Sequence, residues 1–266
     1  MYETIEIERE ENLTWVTLNR PDSLNAMSRT LVREVVDFFS GLPGDHQTRV
    51  VILRGAGRAF CAGTDLKEAS SGDGSSRPSV ASNLRLQREV SEIALQMRRA
   101  PQPIIAAVHG AAAGGGFAMA LASDVRIAAA SARMNAAFIR IGLSACDVGV
   151  SYFLPRLIGA SIASELMLTG DFIDAQRAER LGLVSRVVPD EELESAARDM
   201  AGRMLRNSPL ALRLTKECLK LSLDAGSLEQ VVAMEDRNQI LAIQSRDFRE
   251  GVGAFLGKRE PHFSDD

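Results

Sequence analysis

Two short glycine-rich stretches carry the first chemical signal in this 266-residue sequence. The stretch "HGAAAGGGFAMALASD" (109–124) places three consecutive glycines after an apolar run, and "AFCAGTDLKE" (59–68) is a second small-residue turn before a helix. Glycine inside a helix costs about 1 kcal/mol relative to alanine, so three together indicate that something approaches the backbone closely. Backbone N–H groups at two helix starts would jointly bind one developing negative charge. Tight packing of a helix on a strand is the alternative explanation.

Motifs for other ligands are incomplete or absent. The run from Gly114 to Met119 lacks the last small residue of a dinucleotide fingerprint, and no acid follows at the distance needed to hold a ribose. The sequence contains no Walker A motif, no G-x-S-x-G and no H-E-x-x-H. Because His46, His109 and His262 lie far apart, we expect no metal site, and we expect no permanently bound cofactor.

The composition is that of a globular protein with a substantial core. The chain is 45% hydrophobic and 25% charged, and its formal net charge of -4 gives no electrostatic footprint for nucleic acid. No apolar run reaches the length of a membrane span, and the acidic N-terminus is no secretory signal. The three cysteines are too widely separated for a disulfide framework, so we expect a cytoplasmic protein.

The elements that position the glycine turns follow from hydrophobic periodicity. "TIEIERE" and "LTWVTLN" alternate with period two and predict an antiparallel hairpin. Ser28 is a candidate N-cap for a first helix, and Asp190 for a later one. "RVVILRG", "IIAAVHG" and "DVRIAAA" predict buried strands. We therefore expect an α/β fold of β-β-α units over residues 1–200, and a helical tail over 201–266.

Five stretches together resemble one known family. They are "LNRPDSLNAM", "VVILRGAGRAFCAGTDLKE", "PIIAAVHGAAAGGGFAMALASD", "LPRLIGASIASELMLTGDFIDAQRAERLGLVSRVV" and "FREGVGAFLGKREPHF". In order and spacing they resemble the enoyl-CoA hydratase/isomerase (crotonase) superfamily over nearly the whole chain. The resemblance implies a crotonase-type spiral of β-β-α units with a C-terminal helical trimerisation region. It also implies a homotrimer, or a hexamer built as a dimer of trimers, and an acyl-CoA thioester whose coenzyme A is part of the substrate.

The resemblance also assigns candidate site residues. Two backbone N–H groups, those of Thr64 and Gly115, correspond to the family's oxyanion hole, where a thioester oxygen becomes enolate-like. Lys258 resembles residues that reach a phosphate of the ligand, often from a neighbouring subunit. The acyl pocket walls come from residues 69–79 and the helix after them, which carry no readable code for chain length. The residues that resemble the substrate groove are Ser23, Leu24, Ala62, Asp65, Leu66, Lys67, Gly116 and Phe138.

The family's hydratases use two glutamates that this chain lacks. The first lies two residues after the last glycine of the turn, where this chain has Ala118, and the second lies twenty residues later, at Phe138. No Asp or Glu occurs between Asp124 and Asp147, so a shift of one residue does not restore the pair. The sequence therefore predicts that ordinary water addition is slow or absent.

Asp147 is the remaining candidate acid/base group. It lies in "GLSACDVGVSYFLPRLIG" (142–159), and its Asp-Val-Gly resembles dienoyl-CoA isomerases, where an Asp acts as acid/base. The Ser-Tyr that follows resembles 4-chlorobenzoyl-CoA dehalogenases, where an Asp is the nucleophile. Three alternatives stay open: hydrolase- or dehalogenase-like chemistry, a helix N-cap without catalysis, and a non-catalytic acyl-CoA-binding protein. Cys146 has no histidine partner for a nucleophilic role, and His109 is interpreted as structural.

Overall fold

The main sheet of the protein has six strands in the order β1-β2-β3-β4-β6-β9. The computed structural model describes residues 2–70 and 79–264. The predicted hairpin forms, with Ile5 opposite Leu18, and every later neighbour in this sheet is parallel. The strands are β1 (Ile5–Glu10), β2 (Leu13–Leu18), β3 (Val50–Gly55), β4 (Ile104–Val108), β6 (Val125–Ala129) and β9 (Arg186–Val188).

A second, smaller sheet has three strands in the order β5-β7-β8. Strand β5 (Ala111–Ala113) pairs in parallel with β7 (Arg133–Asn135), which pairs antiparallel with β8 (Ile173–Asp174). Because β5 follows β4 after only two residues, the chain passes from the main sheet to the small one just before the three glycines. The glycine turn therefore begins where the two sheets meet.

Helices cover both faces of the main sheet and form the C-terminal part of the chain. In the first three quarters they are α1 (Arg29–Gly41), α2 (Leu66–Ser70), α3 (Val80–Arg99), α4 (Gly115–Ala122), α5 (Val150–Ile158), α6 (Ala160–Thr169), α7 (Ala175–Arg180) and α8 (Leu193–Leu205). The tail consists of α9 (Pro209–Ser222), α10 (Leu228–Gln244) and α11 (Arg246–Leu256). No helix among the described residues is long and apolar enough to cross a membrane.

Alternate residues of the buried strands face two different core layers, as the period of a strand requires. On β3, Val51 and Leu53 belong to the larger layer, which contains α1, α3 and α4, whereas Val50 and Ile52 pack with α8. Parallel sheets are typically buried on both faces in this way. The larger layer also contains the glycine turn, so the turn is anchored in the core.

Two expected helix caps have different outcomes. Ser28 caps α1 as predicted, because its side chain accepts a hydrogen bond from the Leu31 N–H. The expectation for Asp190 is wrong, since α8 begins after Glu192 with no side-chain cap. The Asp190 carboxylate instead accepts hydrogen bonds from the backbone N–H and hydroxyl of Ser131, far away in the sequence.

The helical tail differs from the rest of the chain in its exposed apolar side chains. Residue 201, where the tail is expected to begin, lies inside α8, and Ala197 and Ala201 of that helix are both buried against the sheet. From α9 onward, large apolar side chains face solvent in one protomer. They include Leu219, Leu223, Leu228, Ile240, Phe255 and Leu256.

Candidate active site

The two glycine-rich turns, residues 61–65 and 113–116, lie side by side and are called the paired turns below. Cys61 forms a parallel bridge with Ala112, in which the Cys61 N–H donates to the Ala111 carbonyl and the Ala113 N–H to the Cys61 carbonyl. On its other edge, the same segment bridges Met27 through Thr64. Residues 61–65 are therefore held like a short strand between two neighbouring segments.

This arrangement determines where the Thr64 N–H points. Met27 donates to the Gly63 carbonyl at 2.7 Å and accepts from the Asp65 N–H at 3.1 Å. Successive backbone groups of an extended segment point to opposite edges, so the Thr64 N–H points away from Met27. Within residues 2–70 and 79–264, neither the Thr64 nor the Gly115 N–H has a hydrogen-bond acceptor. Both are donors that the described residues leave without an acceptor.

The glycines of the paired turns have different reasons to lack a side chain. Gly63 has φ of +92°, and a Cβ there would lie 2.8 Å from the Ala113 carbonyl oxygen. At Gly116 a Cβ would lie 2.2 Å from the Cys61 carbonyl oxygen, so Gly116 packs one turn against the other. At Gly115 the obstacle is the Met27 side chain, with its methyl at 2.0 Å and its sulfur at 2.8 Å. The tight-packing explanation holds for Gly116, whereas a side chain at Gly115 would meet only another side chain.

Most of the groove residues predicted from the resemblance surround the first turn. Leu24 accepts a hydrogen bond from the Ala62 N–H at 2.9 Å, which brings Ser23 and Leu24 beside the turn. Asp65 forms an ion pair with Arg20 at 2.9 Å. Burial by itself would raise the pKa of Asp65, but the Glu68 N–H and the Arg20 guanidinium hold it below its ordinary value. Leu66 and Lys67 follow in the exposed first turn of α2.

Lys258 lies apart from the other predicted residues. It follows the end of α11 and is exposed, and its backbone N–H donates to the Phe255 carbonyl. No hydrogen bond or ion pair joins it to residues 20–27 or 61–67 of the same protomer. Within one chain, the site therefore forms without it.

Asn25 is a positioning residue that the sequence reasoning missed. Its side chain is fully buried and donates to the carbonyls of Ala56 and Ala59 at 2.8 Å, which fixes the loop leading into the first turn. Its own carboxamide oxygen accepts from the Arg20 N–H at 2.9 Å. Asn25 has φ of +56°, a conformation that asparagine tolerates better than most residues. The asparagine in "DSLNAM" was the available signal.

A cavity of about 280 Å³ lies beside Thr64. Met27 and Val32 form one wall, and Leu86 and Val90 of α3 form another. Residues 69–79, expected to contribute pocket walls, fall largely outside the described residues, since 71–78 are not described. A larger cavity of about 350 Å³ lies between α5 and α9, at the amino ends of β4 and β6, and none of the predicted site residues lines it.

The two positions of the missing glutamates are buried beside the glycine turn. Ala118 is fully buried on α4, and its N–H donates to the Gly114 carbonyl. Phe138 is 4% exposed, and its ring lies 3.4 Å from where a Cβ of Gly114 would be. Neither side chain can transfer a proton. The second turn is therefore surrounded by apolar groups where the family's hydratases have carboxylates.

Asp147 lies in a tight corner, residues 145–149, called the Asp147 corner below. Its Oδ1 accepts hydrogen bonds from the Val148 N–H at 2.8 Å and from Nε2 of Gln87 at 2.5 Å. Val148 has φ of +45°, which a β-branched residue adopts only under strain. The capping alternative is wrong, because α5 begins after Gly149 with no side-chain cap.

Helix α3 connects the Asp147 corner to the paired turns. Gln87, which contacts Asp147, directly follows Leu86, which lines the cavity beside Thr64. No hydrogen bond to Oδ2 of Asp147 comes from the described part of the chain. Asp147 itself does not line this cavity, and the sequence contained no signal for its Gln87 partner.

Three other side chains of chemically reactive types, His109, Tyr152 and Cys61, are hydrogen-bonded or buried within the fold. His109 contacts the Gly57 carbonyl through Nε2 at 2.9 Å, in keeping with its structural interpretation. Tyr152 donates to Asp224, at the end of α9, and so points away from the paired turns. Burial raises the pKa of the Cys61 thiol to about 12, so this thiol is unreactive. Among the described residues, no group of three or more His, Cys, Asp or Glu could hold a metal.

Comparison with known proteins identifies the family. The family model for enoyl-CoA hydratase/isomerase matches residues 8–266. A solved structure of a putative enoyl-CoA hydratase from Streptomyces coelicolor superimposes with a TM-score of 0.94 at 34% identity, covering 100% of this chain and 96% of that one. The predicted α/β crotonase-type fold with a C-terminal helical region is thereby confirmed.

Relatives that are named for different activities match over nearly the full length. A probable enoyl-CoA hydratase of Mycobacterium bovis, echA12, is 43% identical over 94% of this chain and 89% of its own length. The 1,2-epoxyphenylacetyl-CoA isomerase of Escherichia coli is 34% identical over 96% of both chains. With its fold, paired turns and family match in agreement, this chain belongs to the enoyl-CoA hydratase/isomerase family.

Proposed function

We propose that the protein isomerises an acyl-CoA thioester, with Asp147 as the acid/base group and the paired turns as the oxyanion hole. One observation carries this proposal: the glutamate positions hold buried Ala118 and Phe138, while Oδ2 of Asp147 receives no hydrogen bond from the described residues. A proton shift needs one group that takes up and returns a proton. Hydration needs a positioned water as well.

The proposed reaction balances with one carboxylate. Asp147 removes a proton from C2 of a 3-enoyl thioester, and the electron pair moves onto the thioester oxygen, between the Thr64 and Gly115 N–H groups. The same carboxyl group then returns the proton at C4, which leaves the double bond between C2 and C3. A positioned acid/base group contributes about 10²–10⁴ in rate, and each oxyanion donor about 10²–10³.

The coenzyme A part of the substrate would lie along the first turn. We assign it to the backbone and side chains around Ser23, Leu24, Ala62 and the start of α2, with Asp65 holding the turn in place through Arg20. Gly116 and Phe138 form the wall of the second turn. Lys258 would reach a phosphate of the ligand in a neighbouring protomer, since it lies apart from the groove of its own chain.

We further propose that the chain assembles as a homotrimer, with two trimers stacked as a hexamer. Exposed apolar patches of this extent mark interaction surfaces, and in one protomer Leu228 is 74% exposed and Phe255 83% exposed. We place the start of the oligomerisation region at the turn after α8, because α8 itself packs on the sheet. Light scattering should give at least three times the chain mass of 28.8 kDa. A monomer at micromolar concentration would contradict the assembly.

The activity is tested with trans-3-hexenoyl-CoA and crotonyl-CoA. We expect the wild type to convert the first to its conjugated 2-enoyl isomer and to hydrate the second slowly or not at all. Asp147→Asn should lose about 10²–10⁴ in turnover. Asparagine keeps an oxygen that accepts from Val148 and Gln87, so the corner should hold and calorimetry should show unchanged binding of the thioester.

The remaining alternatives correspond to other results of the same assay. Binding of every thioester without turnover would indicate a non-catalytic acyl-CoA-binding protein. A covalent adduct on Asp147 after incubation with 4-chlorobenzoyl-CoA, detected by mass spectrometry, would indicate nucleophilic chemistry instead. Fast hydration of crotonyl-CoA would show that water addition proceeds without the two glutamates. Each of these results would contradict the proposed isomerisation.

A further inference from the structure

Gln87 is the one side chain of α3 that the structure joins to the Asp147 carboxylate. It is exposed on the helix, and its Nε2 lies 2.5 Å from Oδ1 of Asp147 across 60 residues of sequence. A carboxylate only accepts hydrogen bonds, so the amide must present its nitrogen to it. The contact therefore links the carboxylate to α3 through an N–H donor.

Both hydrogen bonds to Asp147 reach the same oxygen. The Val148 N–H and the Gln87 amide approach Oδ1 from the backbone and from α3, so rotation of the carboxyl group would break both. No described residue donates to Oδ2. Val148 is held at positive φ, and strain of this kind persists where the surrounding structure requires a particular geometry.

We propose that Gln87 is a positioning residue for the reaction, which orients Asp147 so that Oδ2 faces the substrate. This inference rests on the proposed function. A single hydrogen bond from an exposed side chain contributes little to folding stability, since water replaces it readily. If Gln87 had only a structural role, its substitution would therefore change neither stability nor turnover by much. If it is a positioning residue, its substitution would lower turnover. Misplacement of a reacting group by about 1 Å costs on the order of 10²-fold in rate.

The test compares two identical substitutions on one helix. Gln87→Leu removes the donor to Asp147, and Gln96→Leu removes an equivalent amide that donates to Glu92 at 2.8 Å. With trans-3-hexenoyl-CoA, Gln87→Leu should lower kcat about 10-fold or more and change KM little. Gln96→Leu should keep wild-type kcat, and both variants should unfold at nearly the wild-type temperature. Wild-type kcat for Gln87→Leu would overturn the inference.

Two further variants distinguish positioning from a general disturbance. Gln87→Glu places a second carboxyl group against Asp147. Two carboxyl groups at such a short distance share one proton. The acidic limb of the kcat–pH profile should therefore move to higher pH, and an unmoved limb would count against the inference. In the Asp147→Asn background, Gln87→Leu should add no further loss, because the two residues act as a unit. Independent, multiplying losses would also overturn it.

Failure of this inference is distinguishable from failure of the proposed function. If Asp147→Asn keeps full turnover, the proposed function is wrong, and the role of Gln87 is wrong with it. If Asp147→Asn is inactive while Gln87→Leu is fully active, only the inference about Gln87 is wrong.

Discussion

The paired turns are fixed from inside the core, whereas the Asp147 corner is fixed from the surface. In the paired turns, backbone bridges and buried glycines set the geometry, and Gly63, Gly115 and Gly116 are all buried. In the Asp147 corner, one backbone N–H and one exposed amide hold a half-buried carboxylate. The first region offers backbone donors, and the second offers a side chain.

This difference explains how one fold supports different reactions. A donor supplied by the backbone survives most substitutions of the surrounding side chains, while a proton-transfer group is lost with one substitution. A relative named as a probable hydratase and one named as an isomerase both match this chain over nearly its full length. The paired turns and the Asp147 corner should therefore respond to different substitutions and reagents.

Cysteine labelling gives the largest expected contrast between the two regions. Burial raises the pKa of Cys61, in the paired turns, to about 12, so only about one thiol in 10⁴ is ionised at pH 8. Cys146, in the Asp147 corner, is exposed. N-ethylmaleimide should label Cys146 at least about 10³-fold faster, as read by peptide mass spectrometry. Comparable rates in the native protein would show that the paired turns open readily.

Gly115→Val tests the backbone donor of the second turn. The added side chain meets the Met27 methyl, which is flexible, so the fold should survive while the approach to the N–H is obstructed. Turnover should fall about 10²–10³-fold, the usual value of one oxyanion donor. The matched control is Gly202→Val on α8, where a Cβ meets nothing within 4 Å. Equal activity of the two variants would exclude Gly115 from the oxyanion hole.

Gly116→Ala tests packing in place of chemistry. A methyl group at this position would lie 2.2 Å from the Cys61 carbonyl oxygen, which belongs to the backbone and cannot swing aside. We expect a loss of about 1–3 kcal/mol in the free energy of unfolding, as for other overpacked sites. Denaturant unfolding measures it. A variant as stable as the wild type would mean that the turns are less tightly apposed than the structure has them.

The smallest effect concerns the ion pair that holds the first turn. The pKa of Asp65 lies below its ordinary value in the folded protein, so its contribution to stability is present above the unfolded pKa, about 3.9. That contribution is lost as the pH falls through the folded value. Asp65→Asn should cost roughly 1 kcal/mol at pH 7 and progressively less in acid.

The control for this ion pair is an exposed one. Asp171 pairs with Arg140 at 2.6 Å, but both side chains are more than half exposed. Exposed pairs contribute little, so Asp171→Asn should leave the unfolding midpoint nearly unchanged. If the two variants behaved alike, the Asp65 pair would have no special part in holding the turn.

The main elements of the fold were predictable because their signals are local. Alternation over residues 4–19 gave the hairpin, and Ser28 gave the start of α1. Asp190 misled the prediction, because its partner Ser131 is 59 residues away and competes with local capping. Capping rules weigh only neighbouring residues, so a long-range acceptor role is invisible to them.

The site was predictable only in part, for the same physical reason. The glycines predicted that another group approaches the backbone closely. The resemblance, in turn, predicted that the N–H groups of Thr64 and Gly115 act together. The Gln87–Asp147 contact spans 60 residues and involves an amide with no distinctive pattern around it. The positive φ of Val148 was equally hidden, since valine is the wrong residue type to expect there. Contacts between residues far apart in the chain follow no regular spacing, so the sequence pattern does not reveal them.

The central claim is that Asp147 moves a proton on a thioester held by the paired turns. It is tested most directly by incubating trans-3-hexenoyl-CoA with the enzyme in D₂O and measuring deuterium in the acyl chain by mass spectrometry. We expect the wild type to incorporate deuterium during isomerisation, because the half-buried Asp147 carboxyl group exchanges its proton with solvent between removal at C2 and return at C4. Asp147→Asn should bind the thioester but incorporate none above the uncatalysed rate. Deuterium incorporation by Asp147→Asn at the wild-type rate would contradict the account.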